Sequence, residues 1–470
     1  MTRAWLVTLA FGGVLLAQEP ELPQGLGEPE PGLPEGLGEQ AEPVDPVSSV
    51  SPVERSPMDW PGTAFFADLG LTGFLDVRAG TRVTSDRYER SASLAEARLR
   101  LEYEDEFDPF VVRVAADLVA DALYDSWTPE PESGRGFIDL REASVATTPL
   151  PFLDVKVGRQ VLTWGTGDLL FLNDLFPKDW VSFFVGRDTE YLKAPSDAVR
   201  VGAYGGVANL EVVYTPRFDS DRYLTGERVS YFNPLLGRRS GRDAIQRPIV
   251  PDDFGRDDEI AARLSGDVRG FELAAYGYWG RWKSPGGLDV ATGAATFPRL
   301  NVYGASARTQ LAGGIANVEV GYYDSRQDVG GGNPFVNNSE FRVLVGYERD
   351  LPELAESLTV GVQYYVENLI GYGAYRSTLP VGIPPRDESR HVITMRITKL
   401  LLEQRLRVSL FGYVSPSDAD AYLRPNVTYA IDDDWSVTVG GNVFFGEDDH
   451  TFFGQFENNS NVFVAARLSF

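Results

Sequence analysis

Trp435-Ser436-Val437-Thr438-Val439-Gly440-Gly441-Asn442-Val443-Phe444-Phe445 alternates: Trp435, Val437, Val439, Gly441, Val443 and Phe445 fall on one face, with Ser436, Thr438, Gly440, Asn442 and Phe444 between them. A period of two is the signature of a strand with two unlike faces. The same alternation appears at Leu69/Leu71/Leu75/Val77, Leu99/Leu101/Tyr103, Leu358/Val360/Val362/Tyr364, Ile393/Met395/Ile397 and Leu406/Val408/Leu410. It recurs from Leu69 to the end of the chain and predicts eighteen strands, near 69–83, 91–104, 109–122, 136–148, 151–161, 196–205, 207–215, 257–267, 269–281, 301–313, 314–325, 339–350, 356–368, 388–400, 403–415, 418–430, 433–446 and 459–470.

A water-soluble sandwich also alternates, but three observations favour a membrane. Turns after even-numbered strands are short (Pro149–Leu150, Gly313–Gly314, Ile431–Asp432), whereas most others are long, reaching Pro216–Arg256. Short turns on one side, long loops on the other and an even strand count describe an outer-membrane barrel. The strands suit a tilted bilayer crossing of ~9–11 residues. Finally, the chain ends on Phe470, with Leu468, Ala466, Val464 and Val462 on the same face. This resembles the terminal strand that barrel-assembly machinery recognises. The expected fold is all-β, a single antiparallel transmembrane barrel over residues 61–470, with both ends in the periplasm of a Gram-negative cell.

Composition narrows the function. The net charge of −25 argues against a nucleic-acid partner, and no apolar run long enough for a membrane helix follows the N-terminus. Cysteine is absent and only His391 and His450 supply imidazole, so thiolate, triad and histidine-rich metal chemistry start poorly. His391 reads as an interfacial residue. His450, beside Glu447, Asp448 and Asp449, reads as part of a solvated acidic loop. No catalytic residue, metal site or cofactor is expected.

Residues 1–17, MTRAWLVTLAFGGVLLA, read as a secretory signal. Residues 18–60 form a Pro/Gly-rich tract with ten acidic residues against one arginine, and LPQGLGE at Leu22–Glu28 returns as LPEGLGE at Leu33–Glu39. Such a composition buries too little apolar surface to offset its ordering entropy. The expectation is a disordered periplasmic tail, either a spacer or a docking segment for a periplasmic or inner-membrane transporter partner.

Between the fifth and sixth strands lies Gly158–Pro195, GRQVLTWGTGDLLFLNDLFPKDWVSFFVGRDTEYLKAP, too apolar for a solvated loop. Counting strands makes residues 162–195 the third external connection. We expect it to fold inward as a constriction, its aromatics (Trp164 and Trp180 among them) on the inner wall and Asp168, Asp174, Lys178, Asp179, Arg187 and Asp188 facing the water path. Arg159 lies on the lipid-facing phase unless the chain bends inward at Gly158. Adjacent Arg141 and Glu142 suggest a bulge.

If apolar positions face lipid, Arg78, Arg98, Arg100, Arg113, Arg200, Arg263, Arg308, Arg342, Arg396, Arg407 and Arg467 face the lumen. Acids share that phase, among them Asp76, Glu96, Asp117, Glu211 and Glu319. Two readings stay open: a wall of mutually neutralising ion pairs, or an arginine ladder for an anionic solute.

The run Gly158-Arg159-Gln160-x-x-x-Trp164-Gly165-x-Gly167-Asp168, followed by Pro177 and Asp179, resembles a motif of bacterial outer-membrane barrels similar to the alginate-export porin family. That resemblance implies eighteen strands, inward-folded loops and passage through a charged lumen. The expected function is an outer-membrane porin passing an anionic or amphipathic solute, embedded in lipid and lipopolysaccharide. The alternative is a docking or scaffold component of an export or lipid-trafficking assembly.

Overall fold

A computed structural model describes residues 65–66, 68–124 and 127–470. The signal segment 1–17 and the tail 18–60 lie outside the described residues. Eighteen antiparallel strands form one sheet: β1 (Thr72–Arg82), β2 (Ala92–Phe107), β3 (Phe110–Asp121), β4 (Ile138–Leu150), β5 (Leu153–Val161), β6 (Pro195–Tyr204), β7 (Asn209–Thr215), β8 (Glu259–Val268) and β9 (Phe271–Arg281). The second half comprises β10 (Arg299–Leu311), β11 (Gly314–Ser325), β12 (Glu340–Asp350), β13 (Leu358–Leu369), β14 (Ser389–Leu401), β15 (Leu406–Ser415), β16 (Asp420–Ala430), β17 (Trp435–Gly446) and β18 (Asn461–Ser469). Each predicted strand boundary falls within three residues of the observed one.

Every strand pairs with its neighbours in sequence, and β18 returns to β1 from Phe74↔Ser469 to Arg82↔Asn461, closing the sheet. Closure leaves no unpaired edge. Past β18, Phe470 exchanges backbone hydrogen bonds with Gly73 at 2.9 Å, and its ring stacks on Phe66.

The two faces separate as the alternation requires. In β17, Val439 is 56% exposed and Asn442 is fully buried. Val77, Val145, Val345 and Ile393 lie on the same outer face, each more than 40% exposed. An apolar band of that extent around a closed sheet suits hydrocarbon rather than water. No helix among the described residues is long and apolar enough to cross a membrane.

Two local irregularities follow from the sequence. Register in β3–β4 slips from Ala115↔Glu142 to Ala116↔Leu140, leaving Arg141 as the extra residue of a bulge. In β5, Gly158 sits at φ +121°, where a Cβ would come 2.2 Å from the Ala143 carbonyl oxygen, so only glycine fits. The turn carries both Arg159 and Gln160 into buried positions. Arg159 donates to Asp197 at 3.1 Å and to the Leu140 carbonyl at 2.7 Å, so no bare guanidinium meets lipid.

Candidate functional site

All eleven arginines assigned to the lumen lie on the phase opposite the exposed apolar band. Near one end of the strands Arg113 and Arg407 are exposed, with Arg113 bonded to Glu104. Deeper on β1 and β2, Arg78, Arg98 and Arg100 are buried. Each of these three reaches a carboxylate: Arg78 on Asp76 at 2.5 Å, and Arg98 and Arg100 both on Asp117, at 2.6 and 2.7 Å. Arg200 and Arg263 share Glu211, and Arg342 pairs with Glu340 at 2.5 Å. Arg467 bonds Asp76 at 3.2 Å, and Arg308 also has a partner.

The connection from β5 to β6 attaches to that same buried face. Its first anchor is Glu319 of β11, 1% exposed. This carboxylate accepts from Gly167 N (2.8 Å), Thr166 Oγ1 (2.9 Å), Asn173 Nδ2 (2.8 Å) and Asn173 N (3.2 Å), and also from Thr166 N. The seat is cut from glycine. Gly304 and Gly321 face each other across β10 and β11, and a Cβ on Gly304 would lie 1.8 Å from Asn173 Oδ1. On Gly321 it would meet Leu172 at 2.7 Å.

From there the segment is bonded strand by strand. Gln363 of β13 both donates to and accepts from the Asp168 backbone at 2.8 Å. The Asp168 carboxylate takes both arms of Arg396 on β14 at 2.5 Å. Tyr413 of β15 donates to the Leu169 carbonyl, with Leu169 itself at φ +54°.

A six-residue helix, α1 (Trp180–Val185), follows, capped by Asp179, which accepts from Ser182 N at 2.7 Å, and ended by Gly186 at φ +98°. Phe183 and Phe184 pack on Tyr422 and Phe444, which stack on one another with ring centres 4.4 Å apart. Phe176 meets Trp164 at 4.9 Å, and Trp180 meets Phe171 at 6.0 Å.

The segment returns over β18, β1, β2 and β4. Arg187 grips Glu96 at 2.7 Å, and Asp188 takes Arg78 at 2.7 Å together with Arg467. Burial alone would raise the Asp188 carboxyl. Arg78 and Arg467, with a lesser contribution from Arg407, hold it below its ordinary value instead. The Tyr191 ring lies under Arg98, Arg100 and Arg141, at 4.4, 5.0 and 5.3 Å.

Six charged residues of this segment were expected to face water, and four do not. Asp174, Lys178, Asp179 and Arg187 are each at most 5% exposed. The reason is partnership: Asp174 binds Lys178 at 2.9 Å and Thr163 at 2.7 Å, Asp179 caps the helix, and Arg187 is held by Glu96. A charge leaves water only where such partners replace it. Asp168 and Asp188 stay about one-third exposed, and Trp164 and Trp180 are half-buried.

The long connection from β7 to β8 is interlocked with this segment. Asp221 accepts from Lys178 N (2.7 Å), Trp180 Nε1 (3.0 Å) and Ser284 Oγ (2.6 Å). Burial pushes its carboxyl above the usual range. Arg222 joins Asp139 of β4 at 2.6 Å to Asp179 at 3.3 Å. Between the two connections and the one from β3 to β4 lies a cavity of about 450 Å³, lined in part by Arg135, Arg217, Tyr223 and Glu227.

His391 lies against Tyr364, whose hydroxyl is 2.7 Å from Nδ1. Among the described residues no group of three or more His, Asp or Glu is placed to hold a metal ion. Three arginines of the inner face escaped the sequence reading: Arg82 of β1, Arg390 of β14, which pairs with Asp418 at 2.6 Å, and Arg424 of β16, whose guanidinium lies 4.2 Å from the Phe183 ring centre. For Arg424 the alternation Tyr422/Arg424/Asn426/Thr428 against Leu423/Pro425/Val427 carried the signal.

No protein-family model matches the chain, and no curated protein sequence matches it. Solved structures do resemble it. OccAB4 of Acinetobacter baumannii aligns at a TM-score of 0.50 with 9% identity, covering 85% of this chain and 97% of its own. OccAB3 of the same organism aligns at 0.49 with 12% identity, covering 86% and 99%, and OccK11 (OpdR) of Pseudomonas aeruginosa at 0.46 with 9%, covering 85% and 96%. These neighbours are outer-membrane porins. At such identities the likeness is one of fold, a closed antiparallel barrel of eighteen strands.

Proposed function

We propose that the chain is an outer-membrane channel passing an anionic or amphipathic solute through a charged lumen narrowed by residues 162–195. One observation carries the reading. Side chains on the inner phase of β11, β13 to β16, β18, β1, β2 and β4 are all bonded to this one segment, which therefore borders whatever space the barrel encloses. The exposed apolar band supports a membrane setting, and the likeness to porins supports a channel. The resemblance of Gly158–Asp168 to the alginate-export barrels supports a charged passage, with the N-terminal tail in the periplasm.

Single-channel conductance in planar bilayers tests this. We expect small steps from the intact barrel and larger ones after deletion of residues 166–193. Absence of current from both proteins would end the channel reading. The doubled LPxGLGE motif favours docking as the second reading. Deletion of residues 18–59 should then abolish a co-purifying periplasmic partner without altering conductance.

A further inference from the structure

We infer that Arg281, Arg299 and Arg326, at the ends of three neighbouring strands, form a site for the phosphate group of a membrane lipid on the outer surface of the barrel. The site lies on the lipid-facing side and holds whether or not the lumen conducts.

The three arginines make a single row. Arg281 ends β9 and lies opposite Arg299, which begins β10. Arg326, one residue past β11, donates its backbone N–H to the Arg299 carbonyl at 3.0 Å, so it stands opposite Arg299 on the other side. All three share the phase of Trp279, Tyr303 and Tyr322, which are 41, 46 and 36% exposed on the apolar outer face. Tryptophan and tyrosine collect at the headgroup level of a bilayer, so these rings mark that level. Arg281 follows Trp279 by two residues, or about 7 Å along the strand. The row therefore sits at the outer edge of the headgroup zone, at the end of the strands that bears the long connections.

Charge makes the row a site. Like charges directly across a ladder repel, with Cβ atoms only about 5 Å apart. Asp257 pairs with Arg281 at 2.6 Å and lies 3.9 Å from Arg299, and Asp324 pairs with Arg326 at 2.7 Å. Among the described residues no other carboxylate, not even Asp258 beside Asp257, comes within ion-pair distance of the row. Two carboxylates thus serve three guanidinium groups. Arg299 and Arg326 each give one side-chain N–H to the protein, to the Arg256 carbonyl and to Asp324. A guanidinium carries five, and with the two side chains 45 and 51% exposed the others are open to a ligand. A phosphate set between two such forks takes several of them at once. At the same end of other strands the outer phase carries Thr81, Val161, Val414 and Val462, so the basic row is local to β9, β10 and β11. The rings below it decide for a lipid over a free anion. Trp279 and Tyr303 meet edge to face at 6.1 Å, an apolar surface that acyl chains cover and an inorganic ion leaves bare.

Native mass spectrometry of the delipidated full chain in detergent tests the assignment, with diphosphoryl lipid A as the probe. One lipid should bind, R299Q/R326Q should weaken it about fivefold or more, and R299K/R326K should keep most of the affinity. Arg113→Gln, near the other end of the strands, should leave it unchanged, and an equal loss there would show charge without a site. Arg326→Gln alone, outside any strand, should weaken binding about threefold, which keeps the test open if the double variant does not fold. Equal affinity of the variants and the unaltered chain, or of lipid A with and without its phosphates, would overturn the site. Displacement of the lipid by inorganic phosphate alone would overturn the lipid assignment and leave a free-anion site.

Discussion

The wall made by β1 to β4 and the wall made by β15 to β17 use the same residue, arginine, in opposite ways. On the first, Arg78, Arg98 and Arg100 are buried and paired: Arg98 and Arg100 converge on Asp117 and pack on Tyr191, and Arg187 enters from the β5–β6 connection to meet Glu96. On the second, aromatic rings do the packing, Arg424 lies half-buried over the Phe183 ring and Arg407 is exposed. The lesson is that counting lumenal cations does not measure a lumen's charge. The first wall is a set of neutralised struts, and the second is packed by stacked rings beside two arginines that no carboxylate among the described residues pairs.

Cutting one strut tests this contrast with the largest expected effect. Glu96→Ala strands Arg187 among buried groups and should cost about 3–5 kcal/mol, read from denaturant unfolding of the purified barrel in detergent. Arg424→Ala on the second wall should cost no more than about 1 kcal/mol, since it removes a ring contact and no ion pair. Equal losses would mean the two walls do not differ. A smaller effect is expected at the anchor. Glu319→Gln turns an amide N–H₂ toward the donors of Thr166, Gly167 and Asn173, a loss of about 2 kcal/mol in local stability. It should appear as faster hydrogen exchange at Thr166, Gly167 and Asn173, and unchanged exchange there would show that the glycine seat alone holds the segment.

Much of this contrast is legible in the amino-acid sequence, and the part that is not has a physical cause. Alternation sets every strand and the phase of all eleven arginines, because side-chain direction along a strand is a local property. The Arg141 bulge and the inward turn at Gly158 are readable for the same reason: a charge in the wrong phase has to be accommodated. Partnership is not local. Glu96 and Arg187 lie 91 residues apart, Asp168 and Arg396 lie 228 apart, and nothing in either stretch announces the other. Residues such as Lys178 and Asp179 therefore look solvated in the sequence although they are buried, and the interlock through Asp221 and Arg222 leaves no trace there. Helix α1 is equally hidden, since six residues give too few turns for a helical period to emerge.

The smallest effect expected is one of pH, above the paired wall. Glu89, in the connection from β1 to β2, packs near Arg82, Asp86, Arg242 and Arg228, and its Oε1 is buried without a hydrogen-bond partner among the described residues. Burial raises its carboxyl from 4.5 to about 7, against the pull of Arg82. A carboxyl raised by folding favours the folded form fully below its ordinary value and loses that contribution as pH climbs through the raised one. Docking of this connection should thus weaken between about pH 5 and pH 8. Partial exposure screens the charge, so the change should be on the order of 1 kcal/mol. Hydrogen exchange of residues 83–91, corrected for intrinsic rates, should show the loss in the native chain and none in Glu89→Gln. A pH dependence that persists in Glu89→Gln would assign it to another group. If no dependence appears in either, this mouth of the wall is as firmly neutralised as the struts beneath it.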